Sequence, residues 1–192
     1  ASLQKHPAKA CCMPMRRCRV LVLTLIACLA ACSSSYPRRD PTGERFPSVV
    51  GTALDGTEVA LPEVGKGAPM LLLIGFQQNS QFDLDRWLLC LSQTGVAVRA
   101  FEVPTIPGLV PGMFSGFIDG GMRRGIPEED WGGVVTVYGD GGAIAKCTGN
   151  EDGPPGRVVL LDREGVVAFF HDRGFSLGAL RRLQETLATL GG

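Results

Sequence analysis

The side chains best able to do chemistry in this sequence are thiols, and there are seven: Cys11, Cys12, Cys18, Cys28, Cys32, Cys90 and Cys147. A thiol acts as nucleophile, redox centre or metal ligand only as the thiolate, so its surroundings decide its use. Four lie in or ahead of an arginine-led apolar run, and Cys32 closes that run. Cys90 and Cys147 alone are left for a folded domain, which excludes a disulfide scaffold and allows at most one bridge in an oxidising compartment. Cys90 stands among Leu88, Leu89 and Leu91, where a free Cys behaves as a small hydrophobe. Of the two histidines, His6 is near the start and His171 shares no ligand spacing with either cysteine, so neither metal nor cofactor is expected. His171 beside Asp172 reads as a surface histidine at the end of a strand. The Gly-x-Ser-x-Gly elbow of a serine hydrolase is missing, and Met113-Phe114-Ser115-Gly116 is only a partial echo. Glu128, Glu129 and Asp130 could pair as acid and base, but three carboxylates after Pro127 suit a solvated helix start better.

Two polar segments are candidates for binding rather than catalysis. Gln77, Gln78 and Asn79, between an apolar run and a helical pattern, could hydrogen-bond an extended peptide; the plainer alternative is a capped helix start. Arg123 and Arg124, in a Gly-rich stretch with Met122 and with Trp131 nearby, have the composition of an interface patch. The same stretch could cradle a small anionic ligand, although it lacks the Gly-Lys-Ser/Thr ending of a phosphate loop, or could be a solvated loop. Lys and Arg together number 19 and so do Asp and Glu, a balance that argues against nucleic acid as a partner.

The elements that would position these residues can be read from periodicity. Residues 49–61 alternate around Asp55-Gly56, a hairpin signal. Residues 70–76 are continuously apolar, as in a central strand buried on both faces. Ser80 and Asp83 have the spacing of a capping box, Leu84, Leu88 and Leu91 recur with helical period, and Gly95 closes the helix. Residues 96–103 follow as a strand, 109–122 as an irregular helix or loop, and 134–138 as a short strand. Residues 158–161 and 166–170 form a hairpin around Asp162-Arg163-Glu164-Gly165. Ser176 then caps a last helix with Leu177, Leu180, Leu183 and Leu187 on one face. Strand, helix and strand in succession imply a parallel pair, and the later hairpin makes an α/β mixed sheet flanked by helices on both faces.

Arg16, Arg17 and Arg19 precede about a dozen apolar residues at 20–31, the pattern of a secretory leader and too short for a stable span. The run ends Leu29-Ala30-Ala31-Cys32, followed by Ser33-Ser34-Ser35. This resembles the bacterial lipobox, in which the Cys thiol takes a diacylglycerol and becomes the mature N-terminus. The expected organisation is therefore a leader and signal peptide over 1–32, a polar tether over 33–46 and one domain over 47–192. Met15 is the expected start of the gene product. Cys32 would tie the chain to a membrane in the bacterial envelope, and by the same resemblance Ser33 favours the periplasmic side of the outer membrane.

The element order, with the hairpin spelled Gly156-Arg157-Val158-Val159-Leu160-Leu161-Asp162-Arg163-Glu164-Gly165, resembles the thioredoxin fold in its peroxiredoxin-like and cytochrome-maturation branch. Two departures stand out. Gln77-Gln78-Asn79-Ser80 replaces the Cys-x-x-Cys of that fold, and no Thr-x-x-Cys of a peroxidase is found there. Gly156, preceded by Pro154 and Pro155, stands where the fold has a cis-proline. Ile74-Gly75-Phe76 ahead of Trp87, Glu102-Val103-Pro104, Gly121-Met122-Arg123 and the hairpin together are similar to the thioredoxin-like ATP-synthase assembly factors and their bacterial relatives. That resemblance implies a redox-inactive domain that binds or assembles a protein partner at a membrane. The alternative is a thiol oxidoreductase or peroxidase using Cys90 or Cys147.

Overall fold

The computed structural model describes residues 35–106 and 115–191. Asp55-Gly56 turns the chain between β1 (Val49–Ala53) and β2 (Glu58–Leu61), which pair antiparallel with Val49 opposite Leu61. Gly56 sits at φ 92°, a conformation that a Cβ would strain. Strand β3 (Met70–Gly75) is buried throughout except at its last residue, as a continuous apolar run requires. Helix α1 (Gln81–Thr94) turns Leu84, Trp87 and Leu91 inward and stops at Gly95, whose φ of 64° provides the left-handed cap. Strand β4 (Arg99–Pro104) starts three residues later than its sequence suggests and pairs parallel with β3.

Helix α2 (Ser115–Arg123) covers the described part of the segment expected as irregular, and residues 107–114 lie outside the described ones. Strand β5 (Val135–Thr136) is shorter than the 134–138 expected, because Val134 and Val137 make only single bridges, to Glu102 and Thr105 of the β4 edge. Helix α3 (Gly141–Thr148), which periodicity did not announce, buries Ile144 and Ala145. Strands β6 (Arg157–Leu161) and β7 (Val167–His171) form the expected hairpin, and α4 (Leu177–Leu190) closes the fold. Ser176 caps α4, accepting a hydrogen bond from the Ala179 N–H, but Leu177 is 62% exposed and does not join Leu180 and Leu183 inside.

The main sheet runs β4-β3-β6-β7, and a second sheet runs β2-β1-β5. Leu71, Leu73, Val158 and Leu160 face one side, against α1 and α4. Leu72, Ile74, Val159 and Leu161 face the other, where Ile144 of α3, Phe46, Val49 and Val135 cover them. Each of these fully buried aliphatic side chains contributes about 1.5–3 kcal/mol relative to exposure.

The segment 36–46, expected as a tether, runs along the domain. Gly43 donates to the Val167 carbonyl, Val167 to the Glu44 carbonyl and Phe46 to the Gly165 carbonyl, so this stretch covers the free edge of β7. Phe46 is buried in the core at 2% exposure. A sheet edge with unpaired N–H and C=O groups gains most from such cover.

Candidate functional site

Strand β3 delivers Gln77, Gln78 and Asn79 to the surface at its C-terminal end, where all three are exposed. Gln78–Ser80 forms one turn of 3-10 helix before α1. The Ser80–Asp83 pair does not work as a capping box. Ser80 has helical backbone angles and is fully buried, and its hydroxyl donates to the Gly153 carbonyl at 3.1 Å. Asp83 is also buried, and its two carboxylate oxygens accept from the N–H groups of Gly156 (3.0 Å) and Phe175 (2.6 Å). Both side chains point at loops rather than at their own helix, because those loops present N–H and C=O groups that no strand pairs.

This arrangement explains Gly156. A Cβ added there would lie 2.2 Å from Leu84 Cδ2, and a proline would lack the N–H that Asp83 accepts. Among the described residues the one cis peptide bond is Leu61-Pro62, so the Pro154-Pro155-Gly156 turn is trans.

Arg157 was not singled out by sequence and is the main new member of the site. It is 2% exposed. Its guanidinium donates to the carbonyls of Gly149 (3.2 Å), Asp152 (2.6 Å), Gly153 (3.4 Å) and Pro155 (2.6 Å), and lies 5.1 Å from the Phe76 ring centroid. Burial lowers its pKa, opposed by the nearby Asp172 and Asp152. The sequence signal was an arginine leading an unbroken apolar strand. With Pro155 lacking an N–H and its carbonyl taken by Arg157, the backbone just before Gly156 has little left to offer an extended peptide. Gln77 closes over the same loop: a Cβ on Gly153 would lie 1.8 Å from the Gln77 side-chain nitrogen.

The remaining candidates fall elsewhere. Arg123 Nε donates to the Leu54 carbonyl at 2.7 Å, its guanidinium lies 5.5 Å from the Trp131 ring centroid, and Trp131 Nε1 donates to the Ile126 carbonyl. Arg123 and Trp131 are thus together and tied to the β1–β2 turn, and Arg124 is exposed beside them. They do not join Gln77 and Gln78. Strand β5 runs parallel to β4 with Val134 level with Glu102, so Trp131 precedes the start of β5 while Gln77 follows the end of β3. His171, expected at the surface, is half-buried: its Nε2–H donates to the Gly174 carbonyl at 2.7 Å and its ring meets Trp87 edge-on. Glu128–Gly133 is an exposed 3-10 turn.

Cys90 packs with the α1–α4 side of the main sheet and Cys147 with the opposite side, so the sheet stands between them and no bridge joins them. Burial pushes the Cys147 thiol up, the reverse of what an activated thiolate needs. Cys32 lies outside the described residues.

No protein-family model and no curated protein sequence matches this chain. Solved structures do. A SCO1/SenC family lipoprotein from Bacillus anthracis is 15% identical, with a TM-score of 0.53 over 81% of this chain and 100% of its own. A thiol peroxidase from Chromobacterium violaceum is 14% identical, with a TM-score of 0.53 over 81% and 92%. The exposed lipoprotein thioredoxin Etrx1 of Streptococcus pneumoniae is 13% identical, with a TM-score of 0.51 over 72% and 98%. The fold is thioredoxin-like. At these identities the likeness speaks for the fold alone. Within the thioredoxin-like frame, Gln77–Ser80 occupies the strand-to-helix turn and Gly153–Gly156 the loop before the hairpin. Among the described residues no helix is long and apolar enough to cross a membrane.

Proposed function

We propose that this chain is a lipid-anchored, redox-inactive thioredoxin-like module of the bacterial envelope that binds and helps assemble a protein partner. The observation that carries the reading is the turn at 77–80, which offers amides and a buried hydroxyl where a disulfide exchanger needs a thiolate at a helix start. Neither domain thiol lies within that turn, and Cys90 and Cys147 pack on opposite sides of the sheet, so they do not form an exchangeable pair. The anchor rests on the lipobox-like Leu29-Ala30-Ala31-Cys32, and Ser33 favours the outer membrane. Two of the similar structures are of lipoproteins, which supports an envelope location without choosing a membrane. The similarity to ATP-synthase assembly factors supports an assembly role. The partner surface is first Gln77, Gln78 and Asn79, and second Arg123, Arg124 and Trp131. Neither nucleic acid, metal nor cofactor enters this reading.

The competing reading is a thiol oxidoreductase or peroxidase acting through Cys90 or Cys147. Two assays separate them. The purified chain should not accelerate reduction of a protein disulfide or of hydrogen peroxide by dithiothreitol, and both thiols should label slowly with maleimide at neutral pH until denaturant is added. Turnover that disappears in Cys90→Ser or Cys147→Ser would replace the binding reading with the enzyme. On the binding side, a photo-crosslinking residue at Gln78 should give one discrete protein adduct in intact envelopes, and its absence would remove that surface.

A further inference from the structure

Helix α1 has an outer face as well as the one it buries. Leu84, Trp87 and Leu91 turn inward, while Phe82, Asp85, Arg86, Leu89 and Gln93 are exposed on the opposite side. Phe82 is 72% exposed and Leu89 57%, two of the four large apolar side chains left exposed among the described residues. One such residue is ordinary on a surface, but these two stand on a single line. They are seven residues apart, which is two turns of helix and about 10 Å along its axis.

At about 100° per residue, Asp85 and Arg86 project about 50° to either side of the Phe82–Leu89 line, midway along it. The Asp85 side is acidic. Gln81 Nε2 donates to Asp85 at 2.8 Å and to Glu102 at 2.9 Å, and no cation pairs with either carboxylate among the described residues. Arg86, on the other side, is likewise without an ion pair there. The face thus has an apolar midline, an acidic flank and a basic flank, a pattern that complements itself. Two copies packed with their helices parallel about a two-fold axis set the acidic flank of each against the basic flank of the other. Packed antiparallel, Asp85 would meet the partner's Asp85 and Arg86 the partner's Arg86, and like charges facing each other are unfavourable.

We infer that a second copy of this chain covers the outer face of α1 in a parallel two-fold pair. Phe82 packs on the partner's Phe82, Leu89 on the partner's Leu89, and Asp85 pairs with the partner's Arg86 on both sides of the axis. Two helix faces of this length bury at most about 1,200 Å², the low end for specific complexes, so the pair forms reversibly. The pairing has a consequence for the candidate site. Each Gln77–Asn79 turn lies just ahead of its own α1, so parallel helices bring the two turns to the same end of the dimer. On the binding reading above, the dimer offers one doubled surface, and a partner with two matching segments gains from holding both at once.

The test follows the full chain in a mild non-ionic detergent by sedimentation equilibrium. Over about 1–300 µM the natural chain should form a dimer with a dissociation constant of about 10–100 µM. Phe82→Ser and Leu89→Ser should each weaken it by about tenfold and leave urea unfolding unchanged. The Asp85→Arg and Arg86→Asp chains should each self-associate less, yet pair with one another when mixed. A photo-crosslinking residue at Leu89, in a mixture of isotope-labelled and unlabelled chains, should mark the second half of the partner's α1, residues 88–94. A chain that stays monomeric throughout overturns the inference, as does association that survives Phe82→Ser. Failure of the mixed charge variants to pair, or adducts within residues 78–85, overturns the parallel arrangement. None of these outcomes depends on what Gln77–Asn79 binds, so the binding reading stands or falls by its own crosslink.

Discussion

Asp83→Ala isolates the buried carboxylate that joins α1 to two loops. Asp83 is 8% exposed, and its oxygens accept from the Gly156 N–H at 3.0 Å and the Phe175 N–H at 2.6 Å. Removing the carboxylate leaves two N–H groups without an acceptor, the one at Gly156 buried and the one at Phe175 partly buried. Each such loss costs about 1–3 kcal/mol, and hydrogen bonds to charged acceptors lie at the upper end. The expected destabilisation is therefore about 3–5 kcal/mol. With a urea slope of about 2 kcal/mol/M, the unfolding midpoint should fall by about 2 M. Asp83→Asn keeps one acceptor but turns an NH2 toward the second N–H, so it should recover about half of the loss. Native-state hydrogen exchange gives the local check: the Gly156 and Phe175 amides should lose protection in both variants, while amides of β3 change only as global stability does. A midpoint shift under about 0.3 M in Asp83→Ala, with both amides still protected, would refute the clamp.

Further expectations follow from neighbouring contacts. Gly156→Ala should cost about 1–3 kcal/mol in urea unfolding, because its Cβ meets the buried Leu84, and part of that loss should vanish against a Leu84→Ala background. Arg157→Met should destabilise by about 3 kcal/mol or more and raise proteolytic cleavage within 149–155, since four carbonyls lose their donor. Glu102 has its pKa raised, first by burial, with Gln81 opposing and Asp85 and Asp130 assisting. A raised folded-state pKa means the charged form is disfavoured by folding. Glu102→Gln should then raise the urea midpoint at pH 7, and the gain should shrink as pH falls through the raised pKa toward the ordinary carboxylate value. The Cys147 thiol, pushed up by burial, favours the folded state below the unfolded thiol pKa. Stability that Cys147→Ala does not share should fall as pH rises from about 8.5 toward the higher folded value, as read by thermal unfolding.

Much of the fold was legible because the deciding signals were local. The run at 70–76 could be little else than a buried strand, and Asp55-Gly56 and Asp162-Arg163-Glu164-Gly165 marked their hairpins by turn chemistry. Helix α3 escaped because Gly141 and Gly142 open it and its eight residues are too few for a period to emerge. Polar composition hid the docking of 36–46, where Phe46 goes to the core and backbone bonds to β7 do the rest. At the candidate site the limit was direction rather than residue type. Ser80 and Asp83 have capping-box spacing, yet their partners lie 73 residues away in Gly153 and Gly156, a pairing no local window contains. Nothing local marks Arg157 either: its four acceptors belong to a Gly- and Pro-rich loop that sequence alone leaves shapeless. A single binding face would bring the Arg123–Trp131 and Gln77–Asn79 groups together, and the strand order places them apart.

The bond between Asp83 and the Gly156 N–H has a bearing on how such a sequence can change. A disulfide exchanger of this fold wants thiols in the turn at 77–80 and a proline where Gly156 stands. A proline there abolishes the N–H and leaves one Asp83 oxygen without its donor, while exchanging Asp83 first orphans both N–H groups it holds. Each route begins with a loss of stability before any new reactivity exists to be selected. The two positions are therefore coupled: a proline at 156 and the hydrogen bond to Asp83 exclude each other, so neither position can change without a cost at the other.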